Sequence, residues 1–218
     1  WHTGLRMLRL IFLSAVGLSL VFACPVWASS YTRVDGLVID PILDTSGFRL
    51  LYEGPDLMQG VNAPGAYLSS EYSWPYLSYA DLRNANLEGA IMNNAGLSYA
   101  SFRSARLAYV NFNNADLWAV DMTGAHVSPA GLFEAILNYA TLTDAVFANS
   151  WLEKANLSGA NLEGTNFQDA DLSNSLLGDA YVEEADFRGA DLTGAFYLGT
   201  TTGSAFYDSE TRFEGTGF

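Results

Sequence analysis

The chain has 218 residues, 24 of them acidic against 10 basic, a net charge of −14, and half are hydrophobic. So negative a balance excludes binding nucleic acid or free phosphate by charge neutralisation. One cysteine and two histidines exclude an internal disulfide and a Cys/His metal cluster.

Residues 1–28 read as a secretory signal. Arg6 and Arg9 precede LIFLSAVGLSLVFA, a run of about fourteen mostly apolar residues, and Val26-Trp27-Ala28 offers a cleavage site before Ser29. The run is too short for a comfortable membrane span. Met7 is the expected start of translation. Val21-Phe22-Ala23-Cys24 resembles a lipoprotein box, but Phe22 is bulky where that box prefers a small residue. Cleavage without a lipid on Cys24 is therefore expected, leaving 24 acidic against 8 basic residues, or −16. The expected address is the periplasm, cell surface or medium, or the thylakoid lumen for a cyanobacterial chain.

Residues 29–74 lack the periodicity of residues 75–199 and are expected to form an N-terminal lead or cap. VDGLVID predicts a short strand there. Leu57, Tyr67, Tyr72 and Leu77 keep a five-residue phase, which predicts a degenerate opening coil.

Residues 75–199 carry the main pattern. From Ala80 to Ala195, 19 of 24 multiples of five hold Ala, the exceptions being Val110, Val120, Ser150, Thr165 and Ser175. Two places on, from Leu82 to Tyr197, stand 14 Leu, five Phe, two Met, two Val and one Tyr. In an α-helix a five-residue step turns about 140°, so these residues would spiral round the cylinder. In a strand an odd period throws successive Leu residues to opposite faces. The pattern holds only in a solenoid that bends once per repeat and points every Leu and Ala at one axis. The place between them favours Asp or Asn, at 81, 86, 111, 116, 121, 156, 161, 166, 171, 186 and 191. Both residue types bond their own backbone in tight turns. Gly at 89, 124, 159, 164, 189, 194 and 199 ends several repeats, where positive φ is expected.

Ala155-Asn156-Leu157-Ser158-Gly159 and Ala190-Asp191-Leu192-Thr193-Gly194 resemble the tandem A(D/N)LxG unit of the pentapeptide-repeat family. The resemblance implies an all-β fold, a right-handed quadrilateral β-helix with four repeats per coil and the Ala and Leu/Phe places inward. The period alone does not choose four sides over three. With four, the 24 repeats make six coils, spaced about 4.8 Å apart in a rod roughly 29 Å long. Stacking in twenties then puts Leu97, Leu117, Leu137, Leu157, Leu177 and Tyr197 in one core column. Another brings Phe147, Phe167 and Phe187 over one another. No coil is stable singly, so both ends need caps. Residues 200–218 resemble the Tyr-x-x-x-Thr-x-Phe tail that closes bacterial helices of this family, here Tyr207, Thr211 and Phe213. An end-to-end homodimer is a further expectation.

Acidity concentrates late. Glu163, Asp169, Asp171, Asp179, Glu183, Glu184, Asp186 and Asp191 are opposed in that span only by Arg188. A solvated rod accounts for this. A DNA-mimicking rod, as in relatives that protect gyrase, conflicts with the export signal. No catalytic residue, cofactor or metal is expected. His126 occupies an Asp/Asn place as a surface residue, and nothing orders Ser, His and Asp as a triad. The glycine-rich repeat of calcium-binding β-rolls is absent, as is any phosphate loop. An enzyme that cuts envelope polysaccharide would need clustered carboxylates with Lys or Arg, and Lys154 is the only lysine.

The sequence therefore reads as a non-enzymatic exported scaffold that engages a protein or glycan, with no nucleic-acid partner and no membrane span in the mature chain. The engaging face is expected where Tyr99, Ala119 and Tyr139 share an outward column. Two tyrosines about 9.6 Å apart would flank the small Ala119, with Trp118 beside the gap and Gly96, Asp116 and Ile136 on the same face. Exposed aromatics around a notch suit a sugar ring or a protein loop.

Overall fold

The computed structural model describes residues 31–32, 38–39, 60–63, 66, 68, 77–200 and 203–213. The expected secretory signal with Cys24 lies outside the described residues, as do Leu57, Tyr67 and Tyr72. Two short strands, β1 (Tyr31–Thr32) and β2 (Val38–Ile39), pair antiparallel with Tyr31 opposite Ile39. β2 falls within the VDGLVID stretch.

From residue 77 the backbone turns a corner at every fifth residue, a geometry that pairs most N–H groups of a repeat with backbone carbonyls. In Ala115–Ala119, Ala115 N–H donates to Phe112 O across the turn, and Asp116 N–H to Ala95 O of the preceding coil. Leu117 and Ala119 donate to Ile136 O and Asn138 O of the next coil. The fifth donor, Trp118 N–H, goes to Asp116 Oδ1 at 3.1 Å. All eleven Asp and Asn residues at this place of the repeat accept the N–H two residues on, at 2.9–3.4 Å. A buried N–H left unpaired costs about 1–3 kcal/mol, so a repeat is satisfied only with a coil on either side.

Parallel bridges join residues twenty apart, without a slip, from Asp81↔Ser101 to Asp186↔Phe206. Twenty residues with a corner at every fifth make a four-sided coil. Leu97, Leu117, Leu137 and Leu157 are completely buried in one column and Leu177 nearly so. Phe147, Phe167 and Phe187 stack at 5.5 and 5.3 Å in another. The polar substitutes for Ala mostly find partners. Ser150 Oγ accepts from Ala130 N–H at 3.0 Å, and Thr165 Oγ1 donates to Leu142 O at 2.8 Å. Ser175 Oγ is buried without a hydrogen bond.

An opening coil precedes the regular ones, but its phase differs from the one that Leu57, Tyr67 and Tyr72 would set. Val61, Ala63, Ala66 and Leu68 are buried, and the N–H groups of Ala63 and Leu68 bond Asn86 O and Ile91 O. Asn62 bridges Asn86, so the separation there is twenty-four residues rather than twenty. The extra residues put inward positions one place later than the main register extrapolates, and Leu77 restores the phase.

At the other end Phe206 bridges Asp186 and Arg212 bridges Asp191. Tyr207 stacks on Phe187 at 5.5 Å and continues the phenylalanine column, and Phe213 packs edge-on against Tyr207. Thr211 Oγ1 donates to Phe187 O at 3.0 Å. Asp208 Oδ1 accepts from the N–H groups of Gly189, Glu210 and Thr211. The tail thus covers the last coil with the hydrogen bonds and rings another coil would supply.

Candidate functional site

Each side of the helix can be named by a leucine beneath it. The Leu97 face lies over the Leu97–Leu177 column. Outward on it stand Gly96, Asp116, Ile136, Asn156, Leu176 and Phe196, with Trp118 in the first turn position beside them. Tyr79, Tyr99, Ala119 and Tyr139 occupy the second turn position at one corner, with φ between 51° and 65°. A left-handed φ costs an L-residue roughly 1–2 kcal/mol, whereas glycine adopts it freely. The same column carries Gly159 and Gly199, so tyrosine there is the costlier choice and implies a compensating contact.

That contact is a ladder of rings. Tyr79 and Tyr99 stack face to face at 4.7 Å, and Tyr99 meets Trp118 edge-on at 4.7 Å. Trp118 in turn meets Tyr139 edge-on at 6.1 Å. The notch expected over Ala119 is therefore filled: the half-buried indole of Trp118 lies between Tyr99 and Tyr139. Ala119 matters because its small side chain leaves room for that indole. Tyr139, 64% exposed, lies along Gly159, where an added Cβ would come 2.7 Å from its ring.

Asp116 does not stand free on this face. Its Oδ2 accepts from Ser98 Oγ at 2.7 Å and its Oδ1 from Trp118 N–H at 3.1 Å, so it anchors the turn that carries the indole. Tyr79 is a ladder member not expected from the notch pattern, although its position twenty residues before Tyr99 is a sequence signal for it. Ile136, Leu176, Phe196 and Leu198 extend the exposed apolar strip toward the C-terminal end. The outward positions of this face hold only Asp116 and Asp179 as charged residues.

The other faces are mostly polar and charged, with Tyr109, Trp151 and Tyr181 as exposed aromatics on them. His126 is exposed between Arg106 and Val146 in its column. Burial, with Glu183, Glu163 and Glu184 nearby, pushes the Tyr181 phenol up. Among the described residues no three His, Cys, Asp or Glu side chains are grouped to hold a metal ion. Among them, too, no helix is long and apolar enough to cross a membrane.

The family model described as pentapeptide repeats matches in eight copies between residues 76 and 196, more than half of the chain. Among solved structures, the pentapeptide repeat protein Rfr23 from the cyanobacterium Cyanothece 51142 is 34% identical, with a TM-score of 0.43. The match covers 43% of this chain and 64% of Rfr23, so the chain spans just under two thirds of that protein's length. HetL from the cyanobacterium Nostoc sp. strain PCC 7120, involved in heterocyst differentiation regulation, is 25% identical over 67% of this chain and 87% of its own, with a TM-score of 0.28. A trypsin-treated form of QnrB1, a plasmid-mediated fluoroquinolone resistance protein, is 15% identical over 73% of this chain and 84% of its own, with a TM-score of 0.39. No curated protein matches the chain.

Proposed function

The chain belongs to the pentapeptide-repeat family, and from that premise we propose that it is a non-enzymatic exported scaffold that grips a protein partner with its Leu97 face. The fold is the right-handed quadrilateral β-helix of the family. The observation that carries the proposal is the aromatic ladder from Tyr79 to Tyr139 and the apolar strip beyond it, nearly uncharged on a chain of net charge −14. Contiguous exposed apolar surface of this kind marks an interaction site, and aromatic anchors dominate protein interfaces.

Ring orientation separates protein from glycan. A sugar stacks on the face of an aromatic ring, but Tyr79 and Tyr99 give their faces to each other and Tyr139 lies along Gly159. Ring edges, one side of Tyr139 and the aliphatic Ile136 and Leu176 remain for a partner, and the aliphatic side chains suit an apolar protein surface. Export rests on the signal in residues 1–28, and N-terminal sequencing of protein recovered from its host should start at Ser29.

The test places a photo-crosslinking amino acid at Tyr139 and, as control, at Tyr109, a somewhat more exposed tyrosine on another face. The same envelope protein should be captured from Tyr139 and not from Tyr109. Tyr139→Gly, which relieves the left-handed backbone, combined with Ile136→Asp, should abolish capture by an untouched crosslinking position such as Phe196. Equal capture from both tyrosines, or capture unaffected by the double substitution, would sink the assignment of this face.

A further inference from the structure

The adjoining side, the Leu82 face, carries a graded column. Arg83, Arg103, Thr123, Thr143, Glu163 and Glu183 follow one another in successive coils at one position of the repeat. Charge runs from positive through neutral to negative along about 24 Å, five coil spacings. We propose that this face binds a second copy of the chain in antiparallel orientation, side by side.

The pattern is its own complement under a two-fold axis lying across the face between the Thr123 and Thr143 levels. That operation sets Arg83 of each copy opposite Glu183 of the other, Arg103 opposite Glu163, and Thr123 opposite Thr143. A closed two-fold contact requires this kind of self-complementarity. The neighbouring columns obey the same axis. Asp121 falls on Thr141, Asp144 on Gly124, and Glu184 on Asn84, so no carboxylate meets another. The parallel arrangement, by contrast, would set Glu163 and Glu183 against themselves.

Local geometry supports the pairing. The middle of the face holds Thr123, Gly124, Thr141 and Thr143 between Asp121 and Asp144, and these small side chains let two flat surfaces approach closely. Asp81 holds Arg83 at 2.7 Å and Asp121 holds Arg103 at 3.1 Å, and the two arginine side chains remain 42% and 52% exposed. Their carboxylate partners orient them without covering them. Net charge opposes association at long range, but at physiological ionic strength the screening length is about 8 Å and only facing charges act strongly. Exposed pairs are individually weak, so a reversible dimer is expected.

The experiment is sedimentation equilibrium and small-angle scattering on the full chain at physiological ionic strength. The expected result is a concentration-dependent dimer whose maximum dimension stays near that of the single rod. Glu163→Arg with Glu183→Arg should raise the dissociation constant at least about tenfold, because it sets arginine against arginine. Adding Arg83→Glu and Arg103→Glu recreates opposite charges at the original net charge and should restore the dimer. Glu163 is exposed, whereas Glu183 accepts from Ser204 Oγ of the tail at 2.8 Å, so Glu163→Arg by itself decides if the other substitutions lower the melting temperature. A monomer at every concentration, an end-to-end dimer of doubled length, or a dimer indifferent to the Glu163/Glu183 reversal would each overturn the proposal.

Discussion

A carboxylate introduced at Leu157 has no water and no partner. The side chain is 0% exposed, between Leu137 and Leu177 in its column. Leu157→Asp forfeits about 1.5–3 kcal/mol of burial and adds the larger cost of an unpaired buried charge. The expected outcome is loss of cooperative melting by circular dichroism. Asn156→Ser, one residue away, keeps an oxygen for Ser158 N–H and should cost less than about 1 kcal/mol. Ser175 is the opposite case, a buried hydroxyl without a hydrogen bond where most repeats hold Ala. Ser175→Ala should stabilise the protein by about 1 kcal/mol in denaturant unfolding. A loss of stability would mean that the hydroxyl is satisfied in solution.

The element of this fold is the corner, which nearly always carries one left-handed residue and, in eleven repeats, one Asp or Asn side-chain oxygen. Asp171→Ala removes the acceptor of Ser173 N–H, now at 3.0 Å. It should cost about 0.5–1.5 kcal/mol and speed hydrogen exchange at Ser173 more than at the amides of neighbouring coils. Glycine at the second turn position has a further use where a ring lies over it. Gly159→Ala would drive a methyl to 2.7 Å from Tyr139 Cε1, so the ring must leave its seat. The expected signature is a changed tyrosine near-ultraviolet dichroism and weaker partner capture, with the helix still folded. Unchanged capture would mean that the seating of Tyr139 is incidental to binding.

On the scale of the whole molecule, stability passes from coil to coil, and the ends are the weak points. The C-terminal end is held partly by carboxylates whose ionised form the fold favours. Arg188 hydrogen-bonds Asp186 and holds its carboxyl below the usual range, and the N–H of Gly189 does the same for Asp208. Arg83 lowers Asp81 likewise near the other end. A carboxyl whose folded pKa is lowered contributes stability above its unfolded value, about 4, and loses it as pH falls through the folded value. Protection from hydrogen exchange at residues 185–213 should therefore stay flat from about pH 7 to pH 5 and fall below about pH 4. The middle coils should hold their protection longer. Simultaneous loss throughout the rod would show that the last coil is not a separate unit.

The five-residue register, the inward places of Ala and Leu, and the turn role of eleven Asp and Asn residues follow from the sequence alone. Each depends on contacts within one repeat or between identical positions of successive repeats, which a one-dimensional period records. The four-sided coil is different, because five-residue spacing is equally consistent with three sides, and bridges between residues twenty apart decide it. Tertiary structure also decided the phase of the opening coil, where the separation widens to twenty-four. It filled the expected notch as well. Trp118 belongs to the column beside Ala119, and only its rotamer, chosen by packing between Tyr99 and Tyr139, carries the indole across. Periodicity fixes which way a side chain leaves the backbone, but long side chains lean across columns, and that choice is made by their neighbours in space.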